Sequence, residues 1–163
     1  PTLLLDAENY IDSFQLKIRN ENYIFVYFLY DEENKQELVS YASKIAKQKN
    51  LKIKYVSQRK IKAFVGQKYC LGIGPEEFLD MVYNASYVIT NSFHATAFSV
   101  IFHKSFYVFN RHDNVSRIKD FLDIIDMGQC LNPEQMNVIF NYNVIDNRLQ
   151  KMITTSKKYL DSF

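Results

Sequence analysis

Residues 90–99 read Thr-Asn-Ser-Phe-His-Ala-Thr-Ala-Phe-Ser. His94 stands between two hydroxyl residues, Ser92 and Thr96, with no acid beside it. Across residues 90–112 there is no Asp or Glu at all, yet the window holds every histidine of the chain (His94, His103, His112) together with Lys104 and Arg111. The stretch follows a β-type Tyr-Val-Ile and opens a run of small and apolar residues at helical spacing. An exposed helix N-terminus offers unpaired N–H groups and the positive end of the helix dipole, and hydroxyls with a nearby cation complete a receptor for an anion. A histidine in that place can hold charge or pass a proton near neutral pH. The lack of acid leaves such a site open to a negatively charged guest.

His94 is therefore the candidate for proton transfer or anion binding, with Asn91, Ser92, Thr96 and Arg111 as candidate ligand contacts. Each also has a plainer role. His94 can be a first-turn residue bonded to a neighbour, and Asn91 and Ser92 can be ordinary N-caps. Arg111 and His112 can be solvated loop residues. Ala95, Thr96, Ala97 and Ser99 are small, as close packing of a helix on a sheet requires. His103 ends its helix beside Lys104, where cations suit the dipole, and reads as structural.

These residues need a frame. Residues 22–30 are apolar on both faces, as in a buried parallel strand. A helix follows over 34–49, with Leu38, Tyr41, Ala42, Ile45 and Ala46 on one stripe. Residues 51–57 alternate, Leu51, Ile53 and Tyr55 against Lys52 and Lys54, which predicts a half-exposed strand. Residues 59–68 are basic and irregular, and 68–74 read as a short strand closing on glycines. Pro75, Glu76 and Glu77 form a helix start, with Phe78, Val82 and Ala85 facing inward. A strand over 86–90 leads into the histidine helix, which extends to about His103, and another strand covers 105–109. Ser116 is expected to cap a further helix carrying Ile118, Phe121, Leu122 and Ile125, with Gly128 stopping it. Asn132-Pro133-Glu134 predicts a short helix, and Ile145, Leu149, Met152 and Leu160 a closing amphipathic one. Residues 1–6, rich in leucine, read as a stub packed against something else.

Strands separated by helices predict the α/β class: a doubly wound, mostly parallel sheet of about five strands with helices on both faces, Rossmann-like. Ligands of such sheets sit beyond the carboxyl ends of the strands, near the switch point. That places residues 57–59, 72–74, 91–96 and 110–112 on one rim.

The chain's 163 residues suit one domain with its own core. At 47% apolar and 15% aromatic it is globular rather than disordered. A net charge of +2 does not imply nucleic acid, and none is expected as a partner. Residues 38–75 do carry nine Lys or Arg and no acid. They are scattered over a helix face and an alternating strand without an aromatic platform, which reads as a solvated wall, or one facing an anionic glycan or a partner. Cys70 and Cys130 show neither metal nor disulfide spacing, so no metal or cofactor is expected. No apolar run reaches the ~20 residues of a membrane helix. A start at Pro1, without Met or a basic leader, reads as a cut from a longer protein.

Residues 74–109, GPEEFLDMVYNASYVITNSFHATAFSVIFHKSFYVF, closely resemble the signature region of the polysaccharide pyruvyl transferases, where T-D-S-F-H-G-T-A-F-S or T-D-R-x-H-G lies between a strand and a helix. NVSRIKDFLDIID and the closing SKKYL also resemble that family, and PTLLLD does so more loosely. The resemblance implies a two-domain fold like that of GT-B glycosyltransferases, with this chain as the C-terminal domain and the site in the cleft between the domains. It implies transfer of pyruvate from phosphoenolpyruvate to two sugar hydroxyls as a cyclic ketal. The acceptor would be a glycan or lipid-linked sugar, in the cytoplasm near the inner face of the membrane. The missing N-terminal domain would be needed, so the isolated domain is expected to be inactive. His94 matches the motif histidine, whose implied role is to bind the donor and act as general acid or base. Three positions depart from the pattern: Asn91 replaces Asp, Ser92 replaces the arginine of one branch, and Ala95 replaces Gly. Losing that arginine removes a bidentate phosphate clamp, for which Arg111, Arg117 or Arg59 could substitute. Two other functions stand beside this one. A glycosyltransferase using a nucleotide sugar would commonly carry a carboxylate on the helix from Phe93 to His103, and none is there. A non-catalytic anion-binding domain of a polysaccharide-assembly protein would tolerate all three departures.

Overall fold

The computed structural model describes residues 3, 5–29, 35–57, 68–109 and 115–160. Five strands form one parallel sheet: β1 (Tyr23–Phe28), β2 (Lys52–Ser57), β3 (Lys68–Leu71), β4 (Tyr87–Thr90) and β5 (Ser105–Val108), in the order β3-β2-β1-β4-β5. Burial on both faces selects β1 as the central strand, since only Tyr27 in it is less than fully buried. One face sends Ile24, Val26, Phe28, Ile53, Tyr55, Ile89 and Tyr107 against α2 (Lys35–Lys49), which answers with Leu38, Tyr41, Ala42 and Ile45. The other face carries Phe25, Val56, Val88, Phe106 and Val108. It is covered by α3 (Pro75–Asn84), α4 (Phe93–Ile101), α5 (Val115–Ile124) and α6 (Tyr142–Leu160). The sheet is thus doubly wound, with helices on both faces. Among the described residues no helix is long and apolar enough to cross a membrane.

A helix that the sequence reading missed lies at the start. Residues Ala7–Phe14 form α1, with Asp6 accepting a hydrogen bond from Asn9 N–H at 2.9 Å as its N-cap. Tyr10 of α1 meets Phe98 edge-on at 4.9 Å between ring centres, so α1 packs against the core. The segment after it is fixed by Asn84. Its amide oxygen accepts from Arg19 N–H at 2.6 Å, and its nitrogen donates to Lys17 O at 3.1 Å.

Three other expectations are corrected. Ser116 lies inside α5, which already runs from Val115, so it does not cap that helix. Gly128 does not stop α5 either. Asp126, at φ 61°, turns the chain, and Met127 N–H bonds back to Leu122 O at 2.8 Å. Residues 132–134 form no helix, because Asn132 N–H is committed to Val108 O at 2.7 Å beside β5, and Asn132 itself sits at φ 45°. Instead, residues 131–140 run as an irregular strap along β5, with Met136 and Val138 against the α2 side and Leu131 and Phe140 against the core of the other face. Tyr41 and Tyr107 donate to the carbonyls of Gln135 and Met136 at 2.9 and 2.7 Å, which satisfies backbone that has no ladder.

Candidate functional site

The sheet reverses its winding between β1 and β4. β1 leads through α2 to β2 on one side, and β4 leads through α4 to β5 on the other. In sheets of this topology ligands bind beyond the carboxyl ends of the two strands at the switch point. Their backbone ladder ends with Tyr27 paired to Thr90. Asn91 then continues the pairing with its side chain: Oδ1 accepts from Leu29 N–H at 2.8 Å, and Nδ2 donates to Leu29 O at 2.9 Å. One neutral amide thus satisfies both backbone groups of Leu29. Asn91 holds the two strand ends together, and this task, not ligand contact, occupies its amide.

Thr90 anchors the same corner. Its hydroxyl donates to Tyr27 O at 2.5 Å and accepts from Ser92 N–H at 3.0 Å. The helix α4 then starts with Ser92 as N-cap residue. Its first main-chain bond runs from Thr96 N–H to Ser92 O at 3.0 Å, leaving the N–H groups of Phe93, His94 and Ala95 without an intrahelical acceptor. Serine at this position ordinarily accepts one of them. Here Ser92 makes no such bond, is 2% exposed, and its Oγ has no hydrogen-bond partner. No acid occupies the first turn. The neighbouring helix α3 differs: Glu76 and Glu77 lie in its first turn, so its positive end is already complemented. Of these two N-termini, the chain leaves the one at α4 open.

His94 lies exposed on that first turn, its ring edge-on to Phe93 at 6.0 Å. The imidazole is therefore exposed beyond the carboxyl end of β4. Thr96 differs from expectation. It is wholly buried and its hydroxyl donates to Ser92 O at 2.9 Å, so it serves the helix and is out of reach of a guest. Arg111, like His112 and Arg59, lies outside the described residues. Arg117 is on the first turn of α5, its guanidinium 4.8 Å from the centre of the Phe93 ring. Sequence reasoning could name Arg117 only as one of three possible substitutes.

His103 is far from this turn, at the opposite end of α4. It takes φ 52°, stacks on Tyr142 at 4.4 Å and places Nε2 3.0 Å from Asp146 Oδ1, which ties α4 to α6. Cys130 offers no nucleophile: burial pushes its thiol up to about 12. Among the described residues no cluster of His, Cys, Asp and Glu could hold a metal ion.

The site and sheet together define a parallel α/β domain with an uncapped, acid-free helix N-terminus at its switch point and a solvent-facing histidine on it. The family model described as Polysaccharide pyruvyl transferase matches residues 1–114, and the chain belongs to this family. No curated protein matches the chain. Among solved structures it is similar to the UDP-GlcNAc 2-epimerase of Methanocaldococcus jannaschii. The form holding UDP-GlcNAc and UDP is 15% identical, with a TM-score of 0.49 over 90% of this chain and 42% of that one. A second structure of the same epimerase is 17% identical, with a TM-score of 0.49 over 88% of this chain and 42% of the other. The chain spans about two fifths of the length of those structures.

Proposed function

We propose that the protein transfers pyruvate from phosphoenolpyruvate to two hydroxyls of a sugar, releasing phosphate and leaving a cyclic ketal. One observation carries this reading: the N-terminus of α4 is open, uncapped by Ser92 and free of acid, and His94 stands exposed on it. Family membership supports the transferase class. The donor bears a phosphate and a carboxylate, so a helix start with no acid in its first turn favours it. The N–H groups of Phe93, His94 and Ala95 hold the phosphate, with Ser92 Oγ as a further donor. The reaction needs one proton on the methylene carbon, which becomes the methyl group, and removal of a proton from each attacking hydroxyl. One of those protons leaves with the phosphate. His94 is the group placed to give the first proton and to receive one later. Asn91 and Thr96 position the turn. No cofactor takes part. The acceptor, a glycan or lipid-linked sugar, and a second domain of the same protein complete the cleft, in the cytoplasm.

Coupled phosphate release by the full-length protein, with candidate glycan acceptors, tests this. A positioned acid–base group contributes ~10²–10⁴-fold, and His94→Ala is expected to cost turnover in that range. Strong turnover indifferent to the change would remove His94 from the mechanism. Donor binding without turnover on any acceptor would favour a non-catalytic anion-binding domain.

A further inference from the structure

We propose that Arg117 binds the carboxylate of the small acid whose phosphate rests on the N-terminus of α4. The inference rests on the donor reading above and assigns its second anionic group. Of the three arginines among the described residues, Arg19 and Arg148 pair with Asp80 and Asp126 at 3.1 and 3.0 Å. No carboxylate pairs with Arg117 among the described residues, although it is exposed; what holds it is the face of Phe93, 4.8 Å away. Stacking on an aromatic ring fixes the plane of a guanidinium and leaves its N–H edge free. That edge matches a carboxylate through two parallel hydrogen bonds.

The placement of the ring makes the arrangement specific. Phe93 is the first residue of α4, directly after Ser92 and directly before His94, and it packs on Phe121 of α5 at 5.7 Å. Arg117 is thereby held on the same first turn whose N–H groups lack acceptors. Like α4, α5 has no acid in its first turn. The unpartnered, buried hydroxyl of Ser92 is a second sign that this turn is completed by something outside the chain. Two anionic groups on one small molecule would occupy the two features together: phosphate on main-chain amides and Ser92, carboxylate on Arg117.

Binding of phosphoenolpyruvate and of inorganic phosphate to the full-length protein, at fixed ionic strength, separates the parts of this proposal. Arg117→Ala is expected to weaken phosphoenolpyruvate at least fivefold more than it weakens inorganic phosphate, with Arg117→Lys in between, since a lysine keeps the charge but loses the fork. Unchanged melting temperatures confirm folding, and the lysine variant carries the test should the alanine variant fold poorly. Equal losses for the two probes, or no loss for either, overturn the assignment of Arg117 while leaving the donor reading in place. Wild-type protein that binds no phosphoenolpyruvate overturns both.

Discussion

Asn91 shows how one residue can look like a ligand contact and act as a joint. Its amide supplies one donor and one acceptor to the backbone of Leu29, a pattern that no carboxylate reproduces. Asn91→Asp would keep the bond from Leu29 N–H, lose the one to Leu29 O, and set a negative charge against that carbonyl and beside the α4 mouth. Leaving a partly buried carbonyl unsatisfied costs about 1–3 kcal/mol. The variant is expected to lose stability on that scale in urea melts, and an unchanged midpoint would show that the joint is dispensable. Sequence placed Asn91 and Thr96 at the right corner, because the motif lies between a clear strand and a clear helix. It could not tell where their polar atoms go. Asn91 bonds to Leu29, 62 positions away, and local spacing carries no sign of a partner that distant. For His94 the reverse holds, because a first-turn residue away from the apolar stripe is exposed by helix geometry alone.

At the scale of the elements, a shortage of glycine shapes the chain. Four helices end in a left-handed residue that is not glycine: Gln15, Asn50, His103 and Asp126, at φ 50°, 52°, 52° and 61°. Each is followed by a residue whose N–H closes the turn on the helix, Leu16 to Ile11, Leu51 to Ala46, Lys104 to Ser99 and Met127 to Leu122, at 2.8–3.0 Å. The left-handed region costs a side-chain-bearing residue roughly 1–2 kcal/mol. Gln15→Gly should relieve that strain, partly offset by the greater freedom of the unfolded chain. A net gain of a few tenths to about 1 kcal/mol is expected in chemical denaturation, and a loss of stability would contradict it. The same shortage explains the misplaced end of α5. Gly128 was the only glycine near by, whereas Asp126 makes the turn. Helix α1 escaped notice because it is short: Ala7, Tyr10, Ile11 and Phe14 stand at helical spacing, but its eight residues cover little more than two turns. The strap over 131–140 was unreadable because its backbone bonds are met by two tyrosines from α2 and β5.

For the whole molecule, the parallel sheet and its switch point follow from strands that are apolar on both faces and joined through helices. The strand order puts β1 beside β4, and this adjacency builds the mouth, because it brings Leu29, Asn91, Ser92 and His94 to one corner. α5 then adds Arg117 from the next connection. Among the described residues the first turns of α4 and α5 carry no acid, while acids complement the N-terminus of α3 one helix away. The central claim is that this corner receives a small dianion on the main-chain amides of α4. Amide NMR shifts of the full-length protein during a titration with phosphoenolpyruvate test it most directly. The account predicts saturable shifts centred on the amides of Phe93, His94 and Ala95. Saturable binding that leaves those three amides unmoved, or no binding at all, would contradict it.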